Sequence, residues 1–380
     1  MASPGTAPLH VEFDPSSSSG GSSTHALLAA MLRATDNVSD LIFSPGRPPQ
    51  VEVYGQLIQI QGPGLRPFSA DDTRRIASDL IGNNKQAITT LREQGACDVS
   101  FGLPGVARFR VNVFIQRGSC AVVMRVIPTT IPTFSSLGLP PQLQEIASLR
   151  EGIVLVTGPR GAGKSSTLAT LLDRVNEQQT CHIITIEDPI EFLHNHKKAT
   201  IHQRELHSDT PNFALALRAA LRQAPKVILV GELRDRETME MVLEAAETGH
   251  LVLSSLNAPS AAKTLERIAS AFPPAEQHSL RGRLSRTLRH VISQRLIPRK
   301  DGGRVAIMEI FKNTSRTMNI LECEDHSGET LLEVIKHGAS EGMQHFDAEI
   351  EKLVRAGIVD LEAALTYATD PQELQRALSQ

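Results

Sequence analysis

The octet GPRGAGKS at residues 158–165 constrains this chain more than any other feature. It fits the pattern G-x-x-x-x-G-K-[ST], which requires an apolar strand before it and a helix after it. Both flanks are present: GIVLVT leads in, and Leu168, Leu171, Leu172 and Val175 follow at helical spacing. Gly158, Gly161 and Gly163 let the backbone curl so that its amide hydrogens turn inward, and the run through Ala162 to Ser166 would wrap phosphate oxygens at a helix N-terminus. Lys164 adds a point charge toward β- and γ-phosphates, and the Ser165 hydroxyl is placed to ligate Mg²⁺. The expected ligands are a nucleoside triphosphate, ATP, and Mg²⁺.

A strand feeding such a loop belongs to a parallel sheet with crossover helices, and the surrounding sequence repeats that pattern. Strands are expected at 153–157, 183–186, 227–230 and 251–255. Helices between them carry Phe213, Leu217 and Leu221, then Met239, Val242, Leu243 and Ala246. The remainder reads as a helical tail, with Leu280, Leu284, Leu288 and Val291 on one stripe and Phe346, Ile350, Leu353 and Val354 on another.

The chain before the loop is of a different kind. Residues 1–24 are rich in Ser, Gly and Pro and are expected to be disordered. Strands are expected at 41–43, 51–53 and 57–60, followed by the helix FSADDTRRIASDLIG, where Ser69 and Asp72 form a capping-box signal and Ile76, Leu80 and Ile81 share a face. In ARFRVNVFIQ, Phe109, Val111, Val113 and Ile115 alternate with Arg108, Arg110 and Asn112, and CAVVMRVIP is the expected partner strand. This gives a small α+β domain over 25–128 with a mainly antiparallel sheet, a Pro-rich linker over 129–145, and an α/β domain over 146–380.

Composition supports two domains and excludes several classes. With 380 residues and a formal net charge of −3, nothing favours nucleic acid or an anionic membrane surface as a partner. No apolar run approaches the roughly 18 residues of a membrane span. The first residues lack the basic start and apolar centre of a secretory signal, so a cytoplasmic location is expected. Cys97, Cys120, Cys181 and Cys323 are scattered without a CxxC pair and read as buried free thiols.

Further chemistry is expected where strands end. HIITIEDPIEF places Glu187 and Asp188 at the end of one strand, and KVILVGELRD places Gly231 and Glu232 at the end of another. Strand C-terminal ends face the ligand crevice of a parallel sheet, where carboxylates hold metal-bound water or orient an attacking one. Glu232 could instead pair with Arg234 at the surface. His250 opens the strand of AAETGHLVLSSLN, and spacing alone gives it no role. His194, His196, His202 and His207 read as ordinary polar loop residues rather than a metal site, and Arg281, Arg283, Arg286 and Arg289 as a solvated or subunit-facing helical stripe.

These blocks in this order resemble the secretion-type ATPases of type II secretion and type IV pili, and within them the pilus retraction ATPases of twitching motility. The likeness includes DVSFGLPGVARFRVNVFIQRG, GIVLVTGPRGAGKSSTLATLLDRVN, ITIEDPIEF, ALRAALRQAPKVILVGELRDRETM and VISQRLIPRKDGGRVAIMEI, and covers nearly everything after residue 35. The resemblance implies a RecA-like C-terminal domain, a PAS-like N-terminal domain and a hexamer. It makes the glycine before Glu232 normal, Glu232 the water-activating carboxylate that also reaches Mg²⁺ through water, Glu187 and Asp188 an acidic box, and His250 a histidine box. It implies arginines of the first domain acting on nucleotide, with Arg108, Arg110, Arg117 and Arg125 as candidates and Arg110 and Arg125 preferred. Arg218, Arg222 and Arg234 occupy other matching basic positions. Partners implied are other copies in a homohexamer, an inner-membrane pilus platform protein and a paralogous retraction ATPase, with peripheral attachment at the inner face of the cytoplasmic membrane.

The sequence also departs from the pattern. Asn257 and Ala258 stand where the family usually has His-Thr, Arg160 replaces a common Thr, Lys226 replaces a usual Asp, and NTSRTMNILECEDH differs from the segment tied to retraction. The expected function is therefore an ATP-hydrolysing retraction motor. Alternatives are an accessory nucleotide-binding partner with little turnover, or a pilus-assembly or type II secretion ATPase, which the lack of a tetracysteine motif disfavours. A nucleic-acid translocase is disfavoured by charge.

Overall fold

The computed structural model describes residues 8–11, 23–322 and 330–379. The chain forms two compact units, Met1–Thr129 and Thr130–Gln380.

The first unit is built on a seven-stranded sheet of order β1-β4-β3-β2-β7-β6-β5. The strands are β1 Leu9–His10, β2 Val38–Phe43, β3 Gln50–Val53, β4 Gln56–Gln61, β5 Ala96–Leu103, β6 Ala107–Gln116 and β7 Ser119–Ile127. Every pairing is antiparallel except β1 with β4. Helices Ser23–Arg33 and Ala70–Ile81 pack Leu28, Met31, Ile76 and Leu80 onto Phe43, Phe109 and Met124 of the sheet. The second of these helices starts where its cap requires, since Ser69 and Asp72 exchange reciprocal bonds.

The sequence expectation fails at two places here. Residues 9–11, expected to be disordered, add a strand: Val11 N–H donates to Gln61 O at 2.8 Å, and Leu9 pairs with Ile60. Gly62 permits this approach, because a Cβ there would collide with the Val11 carbonyl oxygen. Ser23 and Thr24, which end the stretch expected to be disordered, already belong to the helix Ser23–Arg33, and residues 1–7 and 12–22 lie outside the described residues. On β6, Phe109, Val111 and Val113 are fully buried as the alternation predicts, but Ile115, next to the hairpin turn, is 45% exposed.

The second unit carries a seven-stranded sheet of order β10-β9-β11-β12-β8-β13-β14. Its strands are β8 Gly152–Thr157, β9 His182–Glu187, β10 Thr200–Glu205, β11 Val227–Val230, β12 Leu251–Leu256, β13 Leu288–Pro298 and β14 Arg304–Lys312. All neighbours run parallel except β13 and β14. The sheet is covered on both faces, so β8 sends Ile153 and Leu155 into one core and Val154 and Val156 into the other. Helices Lys164–Gln178, Phe213–Ala220 and Arg236–Glu247 are the crossovers.

The helical tail is the main correction. The helix Pro274–Thr287 ends before Leu288, and the stripe through Val291 continues as β13, beside β8, with β14 returning through a Gly302–Gly303 turn. Val291 and Ile292 lie on opposite faces of a strand buried on both sides, and that pairing overrides the helical spacing. Beyond it the chain is helical, at Phe346–Arg355, Leu361–Tyr367 and Pro371–Ser379. The segment expected as linker is partly core: Leu139 and Leu143 pack with Leu171 and Leu172 of the crossover helix, so burial ties it to the second unit. Cys97 is buried while Cys120 and Cys181 are half-buried, all as free thiols; Cys323 lies outside the described residues.

Candidate active site

The loop between β8 and the helix Lys164–Gln178 takes the curled form its glycines allow, with φ of 146°, 76° and 86° at Gly158, Gly161 and Gly163. Ala162, between the last two, is buried. Lys164 Nζ folds back over the loop, donating to Gly158 O and Pro159 O at 3.0 Å each and to Asn257 Oδ1 at 2.8 Å. Burial holds its ammonium below the ordinary lysine value, with the carboxylates of Glu232 and Glu191 opposing that shift. The Ser165 and Ser166 side chains have no hydrogen-bond partner among the described residues, which leaves the Ser165 hydroxyl free to take a ligand.

Three strand ends meet at this loop. Asn257, just past β12, donates Nδ2 to Glu232 Oε1 at 2.6 Å, and Glu232, just past β11, accepts from Arg234 Nε at 2.7 Å on its other oxygen. Arg234 also donates to Asp188 Oδ2 at 3.1 Å. Lys164, Asn257, Glu232, Arg234 and Asp188 thus form one continuous polar chain across the sheet's C-terminal edge. Glu232 has both the expected place at the crevice and the expected pairing with Arg234. Glu187 is held apart from that chain, accepting from Thr185 Oγ1 at 2.6 Å and Gln203 Nε2 at 3.0 Å. Burial pushes its carboxyl above the ordinary range despite those two donors.

His250 is not part of this constellation. It precedes β12, at the opposite end of the sheet, and its Nδ1 lies 2.9 Å from Ala245 O. With seven residues to Asn257 at about 3.3 Å per residue, it stands roughly 20 Å from the loop in its own chain. The residue of AAETGHLVLSSLN that reaches the site is Asn257, noted in the sequence only as a departure. Arg110 and Arg125 belong to the first unit, directly opposite one another on β6 and β7. Arg125 Nε bonds Asp40 at 2.9 Å, whereas Arg110 lies 3.9 Å from Asp98.

Other expected features are structural. Arg283 ties the helix Pro274–Thr287 to Glu240 and Glu247 within the same unit, and Arg289 falls on β13, so the four arginines form no single stripe. His202 shares a hydrogen bond with His182, and among the described residues no group of His, Cys, Asp or Glu is arranged to hold a metal ion. One residue of the site had no reading in the sequence: Gln294 on β13, 3% exposed, donates to Ala162 O and accepts from Thr167 Oγ1, both at 2.7 Å. Its signal was a lone amide inside the apolar run VISQRLI.

A glycine loop at the end of a central parallel strand, a lysine inside it and a carboxylate on the neighbouring strand ends define a phosphate-loop ATPase. Residues 93–331 match the family model described as type II/IV secretion system protein. The chain belongs to that family. It is 43% identical over 339 residues to the type IV pilus retractation ATPase PilT of Pseudomonas aeruginosa, covering 89% of this chain and 96% of that one. It is 37% identical to the type IV pilus ATPase PilU of the same organism, covering 89% and 87%. A solved structure of the pilus retraction motor PilT with bound ADP superposes with a TM-score of 0.78 at 41% identity, covering 89% of this chain and 95% of that chain.

Proposed function

We propose that this chain is the Mg²⁺-dependent ATP-hydrolysing motor of type IV pilus retraction, acting as a homohexamer at the cytoplasmic face of the membrane through a pilus platform protein. The observation that carries the retraction reading is the 43% identity to PilT, which extends over 96% of that protein and through both units. Consistent with attachment through partners, no helix among the described residues is long and apolar enough to cross a membrane.

The residues fit the ligands. The glycine loop has the positive φ angles that would let its amides face an anion, Lys164 sits where phosphate charge would draw it from the carbonyls of Gly158 and Pro159, and the Ser165 hydroxyl would meet Mg²⁺. Magnesium, when bound, would neutralise charge on the β- and γ-phosphate oxygens. Glu232 would position and deprotonate the attacking water, with Asn257 and Arg234 fixing its two oxygens. Asp188 would hold Arg234, and Glu187 would support the strand end. An arginine of the first unit, Arg110 before Arg125, would stabilise charge developing on the transferred phosphoryl group.

The test is complementation of twitching in a piliated strain lacking its retraction ATPase. Twitching restored by the wild type and not by Lys164→Ala or Glu232→Gln supports the motor reading; a wild type that restores nothing while hydrolysing ATP overturns retraction. A second reading, an accessory partner of another retraction ATPase, is favoured by Asn257 in place of the family's usual histidine. It predicts rescue only when a second retraction ATPase is present.

A further inference from the structure

We propose that Gln294 is a positioning residue that sets the phosphate loop in its binding form before nucleotide arrives. It rests on the ATP-binding reading of this site and assigns to β13, whose residues were given no role in nucleotide binding, a direct part in it.

The geometry is specific to one amide. Gln294 is on β13, the strand beside β8, and its side chain reaches under the loop. Nε2 donates to Ala162 O and Oε1 accepts from Thr167 Oγ1. A carbonyl oxygen can only accept, so the Ala162 contact fixes which end of the amide is which. One planar group thereby ties the loop's last turn to the first turn of the helix that follows, in a place where Gln294 is 3% exposed and Thr167 fully buried. Water cannot replace either bond there, so losing one leaves a buried group unpaired.

Gln294 also dictates the loop's composition. A Cβ at Gly158 would collide with the Gln294 carbonyl oxygen, and one at Gly163 would stand 2.9 Å from its Nε2. Two glycines of the phosphate motif are therefore required by contact with β13 as well as by their φ angles of 146° and 86°. The preceding residue strengthens the same junction, since Ser293 Oγ accepts from Thr157 Oγ1, the last residue of β8, at 2.9 Å. Gln294 thus holds Ala162 O on the β13 side of the loop, a constraint on the backbone immediately before Lys164 and Ser165.

The decisive variant is Gln294→Glu in the full-length protein, with ATP affinity followed by titration from about pH 6 to about pH 9.5, the range in which deeply buried glutamates ionise. A protonated carboxyl can still donate to Ala162 O, whereas a carboxylate is repelled by it. Relative to wild type at the same pH, the variant is expected to bind within about threefold at the acid end and at least about tenfold more weakly at the alkaline end. Affinity equal to wild type throughout, or a loss that is the same at every pH, overturns the proposal. If Gln294→Glu does not fold, the Thr167 pair decides: Thr167→Ser, which keeps the hydroxyl, should retain ATP affinity, and Thr167→Val should lose it several-fold, while equal affinities overturn the proposal. Wild type that fails to bind ATP would sink the site reading itself, a separate outcome.

Discussion

Asn257 donates its amide to Glu232 Oε1 at 2.6 Å while its oxygen receives the Lys164 ammonium at 2.8 Å. One side chain thus couples the cation that would meet phosphate to the carboxylate that would activate water. An ammonium can only donate, so the amide orientation is fixed by Lys164, and the remaining NH₂ must face Glu232. Asn257→Ala should lower kcat for ATP by about tenfold, the usual cost of unpairing half-buried polar groups, with a smaller change in KM. Asn257→His should keep more activity than alanine, because imidazole can still donate to Glu232. Steady-state ATP hydrolysis separates these outcomes.

Glu232→Gln keeps the shape and an oxygen to accept from Asn257 Nδ2, loses the acceptor for Arg234 Nε, and removes the proposed base. Hydrolysis should fall by about 100-fold or more, with ATP affinity retained in an equilibrium titration. Equal turnover in both proteins would remove Glu232 from its assigned role.

Glu187 gives a pH signature. An ordinary glutamate stands near 4.5, and burial holds this one higher. A raised carboxyl contributes stability that is fully present below the ordinary value and lost as pH rises through the raised one. Glu187→Gln stays neutral and escapes that loss. The melting temperature of the variant relative to wild type should therefore increase between about pH 5 and about pH 8; a difference independent of pH would argue against burial as the cause.

Arg110 and Arg125 should separate cleanly. Arg125 neutralises Asp40, whose residue is 6% exposed, so Arg125→Ala should destabilise the protein by about 1–3 kcal/mol in denaturant unfolding. Among the described residues Arg110 has only the 3.9 Å approach to Asp98. Arg110→Ala should leave stability nearly unchanged and, on the proposed function, lower ATP turnover by at least about 100-fold, since its role there would be confined to the transition state.

The strand Leu9–His10 predicts a non-additive pair. Gly62→Ala should lower the melting temperature because its Cβ meets the Val11 carbonyl, and removal of residues 1–11 should do so by deleting the pairing. In the truncated protein Gly62→Ala should cost little further. Additive losses would mean that β1 is not the source of the strain.

The sequence by itself determined the phosphate loop, the strands β8, β9, β11 and β12, and the placing of Glu232 and Glu187 at strand ends. These are local signals, written in glycine spacing, apolar runs and caps, and each is read within about ten residues. What only the tertiary structure decided lies between distant segments. Leu288 and Val291 keep helical spacing but become strand because β8 offers an edge; Leu9–Val11 orders because Gly62 leaves room; His250 and Asn257, flanking β12, stand at opposite ends of the sheet. Gln294 and Ala162 are 132 residues apart, and nothing local in either marks the bond between them. A hydrogen bond between buried groups depends on which strands become neighbours, and strand order is set by the burial of the whole sheet rather than by any stretch of it.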